Sequence, residues 1–213
     1  MNTDVTQNKW DRLARFYRWG NHAAEKRWEP WKRGLFSRMD SGNILFLAVG
    51  IGEEIRLFPE KKRVTAIDIS PGMLKKARQK AREYNGTISL QEMDAENLAF
   101  HSETFDQVFT SCTFCSVPRP IRGLEELYRV LKPGGELHMF EHTKSDHFPF
   151  REILQVMNPI AQRVGPSVTR DTVSNVHKAG FRVDEIQTIY LDIVKTISAH
   201  KPRADFDGKG RAW

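Results

Sequence analysis

Four short segments carry residue types that suit a nucleoside ligand. An apolar run at 44–49 leads into Gly50-Ile51-Gly52. Glycines in such a turn let backbone approach a ligand closely, and a following helix start offers unpaired N–H groups. Asp68 closes a second apolar run 16 residues beyond Gly52. A carboxylate there can accept hydrogen bonds from both ribose hydroxyls. Asp94, in MDAENLAF, is placed to take an exocyclic adenine amine, with the Ala95 N–H beside it. Thr110 and Ser111 end a fourth run, FDQVFTS, which continues into Cys112-Thr-Phe-Cys115. His142, just past a fifth run, is a candidate proton acceptor.

Each feature alone has a plainer reading. A GxG turn can be only a tight turn, Asp68 a helix-capping acid, Asp94 an acidic turn and His142 a strand-end histidine. Their order and spacing argue for one site. A nicotinamide-dinucleotide enzyme fits worse, because Glu53, Glu54 and Ile55 follow Gly52 where a fuller GxGxxG turn is wanted.

These residues fall on alternating apolar strands and amphipathic helices, the pattern of βαβ units and a parallel sheet. Strands are expected at 44–49, 63–68, 87–92, 105–111, 136–141, 182–191 and 193–200. Ser70 followed by Pro71 reads as an N-cap with proline at the first helical position. Met73, Leu74, Ala77, Ala81 and Tyr84 then form an apolar stripe opposite Lys75, Lys76, Arg78, Lys80 and Arg82. Pro120 opens another helix that KPGG stops, and Thr169 is expected to cap a third, closed by Gly180. The last two strands are too close in sequence for a helical crossover and should pair antiparallel. The expected fold is doubly wound α/β: a seven-stranded, mostly parallel, Rossmann-like sheet with an antiparallel C-terminal hairpin.

At 213 residues, with 39% hydrophobic and 28% charged residues, the chain reads as one globular domain. No apolar run approaches the ~18 residues that cross a bilayer, and the first residues lack a signal-peptide pattern, so a cytoplasmic location is expected. Cys112 and Cys115 have no second CxxC or HxxxH to complete a zinc site and read as buried or pocket-lining thiols, with no metal. The net charge of +6 is uneven: residues 1–38 carry nine Lys/Arg against four acids, and 201–213 four against two. Basic ends attract phosphates, on nucleic acid or on a lipid surface.

VTAIDISPGMLKKAR, MDAENLAF, FDQVFTSCTFCSV and LYRVLKPGGELHMFEH together resemble class I S-adenosylmethionine-dependent methyltransferases. The resemblance covers about 40–200 and points to the ubiquinone/menaquinone C-methyltransferase group, which extends to phospholipid N-methyltransferases and thiol methyltransferases. It implies S-adenosylmethionine as cofactor and S-adenosylhomocysteine as product. It places Ala48, Gly50 and Gly52 under the methionine part, Asp68 on the ribose, Ile69 against the adenine, and Asp94 and Ala95 at the adenine edge. Thr110 or Ser111 would face the cofactor. Tyr17 resembles a tyrosine that helps close the pocket. The sequence departs from the family at Phe46, which replaces the usual first-strand acid, and at Ala48, which replaces a glycine; Glu53 or Glu54 is a candidate substitute for the acid.

The acceptor should be chosen by the least family-like segments, a helical cap at 1–38 and an insertion at 143–168 shaped to form a lid; 201–213 reads as a basic tail. The first holds Trp10, Trp19, Trp28 and Trp31 among its nine bases. Basic amphipathic helices rich in aromatics favour a lipid interface. The leading expectation is therefore a phospholipid headgroup amine, with the enzyme peripheral on an anionic membrane face; a quinone precursor or small thiol is the alternative. A nucleic-acid methyltransferase is disfavoured, since CTFC stands where an NPPY-like tetrapeptide would, and a cofactor-binding scaffold without catalysis is the remaining alternative, given Phe46. His101, His138 and His177 read as structural or exposed.

Overall fold

The computed structural model describes residues 3–14, 17–40, 42–145, 147–164 and 167–203, with side chains over 6–12, 26–40, 42–145, 147–159 and 167–203. Two helices, α1 (Thr3–Ala14) and α2 (Tyr17–Phe36), precede the sheet. Then follow β1 (Ile44–Leu47), a 3-10 turn (Glu53–Leu57), β2 (Arg63–Asp68), α3 (Pro71–Glu83), β3 (Thr87–Glu92) and β4 (Phe105–Ser111). The chain continues through α4 (Pro120–Val130), β5 (Leu131–His142), α5 (Phe150–Val164), α6 (Thr172–Lys178), β6 (Arg182–Tyr190) and β7 (Val194–His200).

The seven strands form one sheet in the order β3-β2-β1-β4-β5-β7-β6. The first five are parallel, and β7 runs antiparallel to both β5 and β6. The order reverses between β1 and β4, and the crevice outside the carboxyl ends of strands at such a point is where open α/β sheets bind ligands. Alternating residues of β1 supply both sides of the sheet. Leu45 and Leu47 join Val108, Leu137, Leu124 and Leu127 beneath α4 and α6. Ile44 and Phe46 join Phe109, Phe140, Leu74 and Phe36 beneath α2 and α3. Such two-sided burial is why β1 reads as a continuous apolar run.

Local chemistry accounts for most element ends. Ser70 caps α3, its hydroxyl accepting from the Met73 N–H at 3.1 Å, with Pro71 at the first helical position. Three expectations need correction. β1 ends at Leu47 rather than 49, because Ala48 takes a positive φ of 56° that leaves the strand conformation. β5 starts at Leu131 rather than 136, so KPGG, which follows the end of α4 at Val130 as expected, lies within a long strand with an irregular register opposite Phe105 and Gln107. The cap of α6 is Asp171 and not Thr169; its carboxylate accepts from Ser174 N–H at 3.1 Å. Of the basic tail, residues 204–213 lie outside the described residues.

Candidate active site

The cleft at the β1/β4 switch point holds about 860 Å³ of empty space, open solvent at its mouth included. Ala48, Gly50, Asp68, Ile69, Asp94, Ala95 and Ser111 all line it, so seven of the expected cofactor residues meet in one place. Met73, Met93 and Val117 add apolar walls, and Thr6 and Trp10 of α1 close one side.

Asp68 is the buried acidic side chain of the cleft. Its Oδ2 accepts from Gly50 N–H at 2.8 Å and its Oδ1 from Ser70 N–H at 2.9 Å. Each oxygen keeps a lone pair for another donor. Burial pushes its pKa up, and the backbone donors from Ser70 and Gly50 oppose that. The same Ser70 donates its hydroxyl to Asp11 of α1, whose Oδ1 also accepts from Gly72 N–H at 2.9 Å. One residue therefore ties the N-terminal helix, the start of α3 and the cleft carboxylate together. Gly50 has a φ of 56°, and a Cβ built there would meet no atom within 4 Å, so its open side leaves room for a ligand.

Asp94 both lines the cleft and organises its own loop, since its Oδ1 accepts from Glu96 N–H at 2.9 Å and its carbonyl from Asn97 N–H at 3.1 Å. The adenine-edge and acidic-turn readings are compatible. Glu96 also lines the cleft and was not singled out from sequence. It is buried and takes Arg119 N–H at 2.6 Å and Arg119 Nε at 2.7 Å, bolting the β3 loop to the start of α4. Its partner lies 23 residues away, beyond the reach of a local pattern.

Several expected residues stand elsewhere. Thr110 is fully buried and does not line the cleft; its hydroxyl donates to Glu141 Oε1 at 3.0 Å. Gly52 is a packing position: its φ is 79°, and a Cβ would sit 3.0 Å from Ile55 Cδ1 and 3.1 Å from Ala77 Cα. Tyr17 is the first residue of α2, but its side chain lies outside the described residues. His142 is half-buried behind the cleft wall, with Nδ1 3.6 Å from the Sγ of Cys112, a cleft residue. Burial and then the Lys32 charge lower its pKa, so its imidazole is neutral near pH 7 and able to accept a proton. Both thiols are free; burial raises that of Cys112 well above its ordinary value and that of Cys115 to about 12. His138 is buried, stacked on Phe109 and bonded to Ser198.

Glu141 holds the floor of the β4 loop. It is fully buried, and its oxygens accept from Thr113 N–H at 3.0 Å and Phe114 N–H at 3.2 Å besides Thr110. Burial pushes its pKa up to about 7 against those donors. Lys32 departs from its reading as one of the N-terminal surface bases. It is 2% exposed, and its Nζ donates to Glu54 Oε1 at 2.9 Å.

A seven-stranded sheet with β7 reversed, a switch-point cleft, an acid at the end of β2 and an acid in the β3 loop define the class I methyltransferase architecture. The cleft suits S-adenosylmethionine by its donor set: a carboxylate for the ribose, an apolar slot between Ile69, Met93 and Val117 for the base, and open backbone at Gly50. Residues 45–139 match the family described as "Methyltransferase domain". A phosphatidylethanolamine N-methyltransferase from Cereibacter sphaeroides is 33% identical over 126 residues, 58% of this chain and 62% of that protein. The ubiquinone/menaquinone biosynthesis C-methyltransferase UbiE of Proteus mirabilis is 30% identical over 174 residues, 78% of this chain and 68% of that one. Among solved structures, an S-adenosylmethionine-dependent methyltransferase from Mesorhizobium loti superposes with a TM-score of 0.62 at 18% identity, covering 80% of this chain and 96% of that one; this likeness shows the fold. The chain belongs to the class I S-adenosylmethionine-dependent methyltransferases. Its cofactor is S-adenosylmethionine.

Proposed function

We propose that this enzyme transfers methyl groups to the amine of a phospholipid headgroup while resting on a membrane surface. The observation that carries this reading is an exposed apolar rim on the carboxyl side of the sheet. Phe148 is 81% exposed, and Val156 and Met157 on α5 are 77% and 53% exposed. Trp31, Tyr190 and Leu191 are exposed as well. The His147 ring bonds Asp192 at 2.8 Å, so the segment before α5 is tied to the 190–193 hairpin and the two share one face. The Arg27 guanidinium lies 4.3 Å from the centroid of the Tyr190 ring and adds positive charge there. Large exposed apolar groups beside cations suit the boundary between acyl chains and anionic headgroups. Among the described residues no helix is long and apolar enough to cross a membrane, so attachment by this face would be peripheral. The phosphatidylethanolamine N-methyltransferase relative supports the choice of acceptor.

When bound, the cofactor supplies a methyl group already activated on sulfonium. The protein then has to hold donor and acceptor in line, exclude water and accept a proton. On this reading Asp68, Asp94 and Ala95 hold the nucleoside, and Ala48, Gly50 and Ser111 flank the amino-acid end. Residues 1–38 act as the cap, with Tyr17 helping to close it, and 143–168 as the acceptor-side lid. His142 is assigned as proton acceptor for the headgroup ammonium. It lies between Cys112, on the cleft side, and Val194, its pairing partner at the foot of the rim hairpin.

The UbiE relative favours a second reading, methylation of a lipophilic quinone precursor, which would use the same rim. Labelled methyl from S-adenosylmethionine, counted in the organic extract after incubation with vesicles containing phosphatidylethanolamine, separates the two. Label in methylated phosphatidylethanolamine is the expected result, and Phe148→Ser with Val156→Ser should reduce both vesicle co-sedimentation and label without weakening cofactor binding. An unlabelled lipid fraction, with cofactor binding verified in the same sample, overturns the phospholipid reading.

A further inference from the structure

The family's first-strand acid is missing here, and the structure explains why it cannot be restored in place. Phe46 is fully buried on the α2/α3 side of the sheet, its ring 5.6 Å from that of Phe36 and 4.9 Å from that of Phe58. A carboxylate at that position would be buried in an aromatic cluster with no partner. The cofactor's amino-acid end nevertheless carries an ammonium and a carboxylate, and the cleft has to offer them something.

We propose that Glu54, positioned by the buried Lys32, is the relocated anchor for the α-ammonium of that amino-acid end. Glu54 stands in the 3-10 turn that follows the Gly50 turn, behind Ser111 of β4. The Ser111 hydroxyl, on a cleft-lining residue, donates to Glu54 Oε1 at 3.1 Å. Lys32 Nζ donates to the same oxygen at 2.9 Å. Among the described residues Oε2 accepts no hydrogen bond, so this carboxylate retains an oxygen for a further donor. Its neighbour Glu53 is paired instead with Lys80 on α3, while Glu54 reaches the cleft wall through Ser111.

A strap between α2 and the 3-10 turn would need only an apolar contact or an exposed pair. Burying a lysine to 2% exposure is costly unless its charge is used. Here the Lys32 ammonium and the Ser111 hydroxyl both bond Glu54 Oε1 and fix that side chain in place, and the pair offers groups that match those of an α-amino-acid tail. Glu54 is thus a ligand-binding residue and Lys32 a positioning residue. The ligand class follows: 5′-thioadenosines bearing an α-amino-acid tail, as opposed to nucleosides without one. The inference rests on the cofactor assignment and is independent of the acceptor.

Two ligands test it by equilibrium titration: S-adenosylhomocysteine, which has the tail, and 5′-methylthioadenosine, which lacks it. Glu54→Gln should weaken S-adenosylhomocysteine roughly 10- to 100-fold, the loss of one charge-assisted hydrogen bond, and 5′-methylthioadenosine less than about 3-fold. Lys32→Met should show the same selectivity for the tailed ligand. Equal weakening of both ligands would make the pair a structural strap and overturn the proposal, as would no weakening of either. The unaltered protein gives a check that needs no variant: S-adenosylhomocysteine stripped of its amine should bind about as much more weakly as the intact ligand does to Glu54→Gln. Equal affinity for the amine-bearing and amine-free ligands would equally overturn it.

Discussion

Glu141→Gln offers a test of the buried architecture beneath the β4 loop that is independent of any acceptor. Glu141 is fully buried, and burial raises its pKa from an ordinary 4.5 to about 7. Between those values the folded protein keeps a proton that the unfolded chain releases, so this group's contribution to stability falls as pH rises and levels off above pH 7. At ~1.4 kcal/mol per unit, the window between pH 5 and pH 8 is worth about 2–3 kcal/mol. Glutamine has nearly the same shape, its carbonyl can accept from Thr113 and Phe114 N–H, and it does not titrate. All other titrating groups are common to the two proteins, so the difference between them isolates Glu141. Urea unfolding at pH 5, 6, 7 and 8 should show the variant gaining about 2–3 kcal/mol on the wild type across the series. In a chain of this length that corresponds to roughly 4–12 °C in melting temperature. Parallel stability curves for the two proteins would refute the reasoning, since they would mean that Glu141 titrates alike in both states.

Asp68→Asn should weaken S-adenosylhomocysteine roughly 10- to 100-fold by titration, because the amide keeps one acceptor and places an NH2 against the N–H of Gly50 or Ser70. Ser70→Ala should cost about 1–2 kcal/mol in urea unfolding, since it removes the α3 cap and the hydroxyl bonded to Asp11 together. Cys115 should react with Ellman's reagent at pH 8 at least a hundredfold more slowly in the native protein than in denaturant, because a thiol pushed up to about 12 is almost entirely protonated there.

The parts of this molecule that could be read from sequence are those set by local chemistry. β2, β3 and β4 run over the spans their apolar patterns mark, and the Ser70-Pro71 start of α3 follows from a hydroxyl and a fixed φ. Where two residues compete for one local role, the pattern is ambiguous: Thr169 and Asp171 are both able to cap α6, and only the geometry of Ser174 N–H selects Asp171. The cleft-lining residues were legible because they sit at or just past strand ends, where open α/β sheets form their ligand crevice. Thr110 and Ser111 are neighbours with similar side chains, and which one faces the cleft depends on Glu141, 31 residues beyond Thr110. Lys32 looked like one more surface base because its partner Glu54 is 22 residues away. Asp11 gave no signal, since its partners on Ser70 and Gly72 lie about 60 residues downstream.

Ser70 serves three neighbours at once: its hydroxyl caps α3 and reaches Asp11 of the N-terminal helix, while its N–H holds the cleft carboxylate of Asp68. Such a junction makes ligand uptake and helix anchoring two sides of a single equilibrium. Whatever free energy a bound nucleoside adds to the seating of α1, the seated helix must return to the nucleoside in equal measure. Amide exchange in α1 should therefore slow when the cleft is filled, and a deletion of α1 should weaken the nucleoside by the same factor that the nucleoside protects the helix.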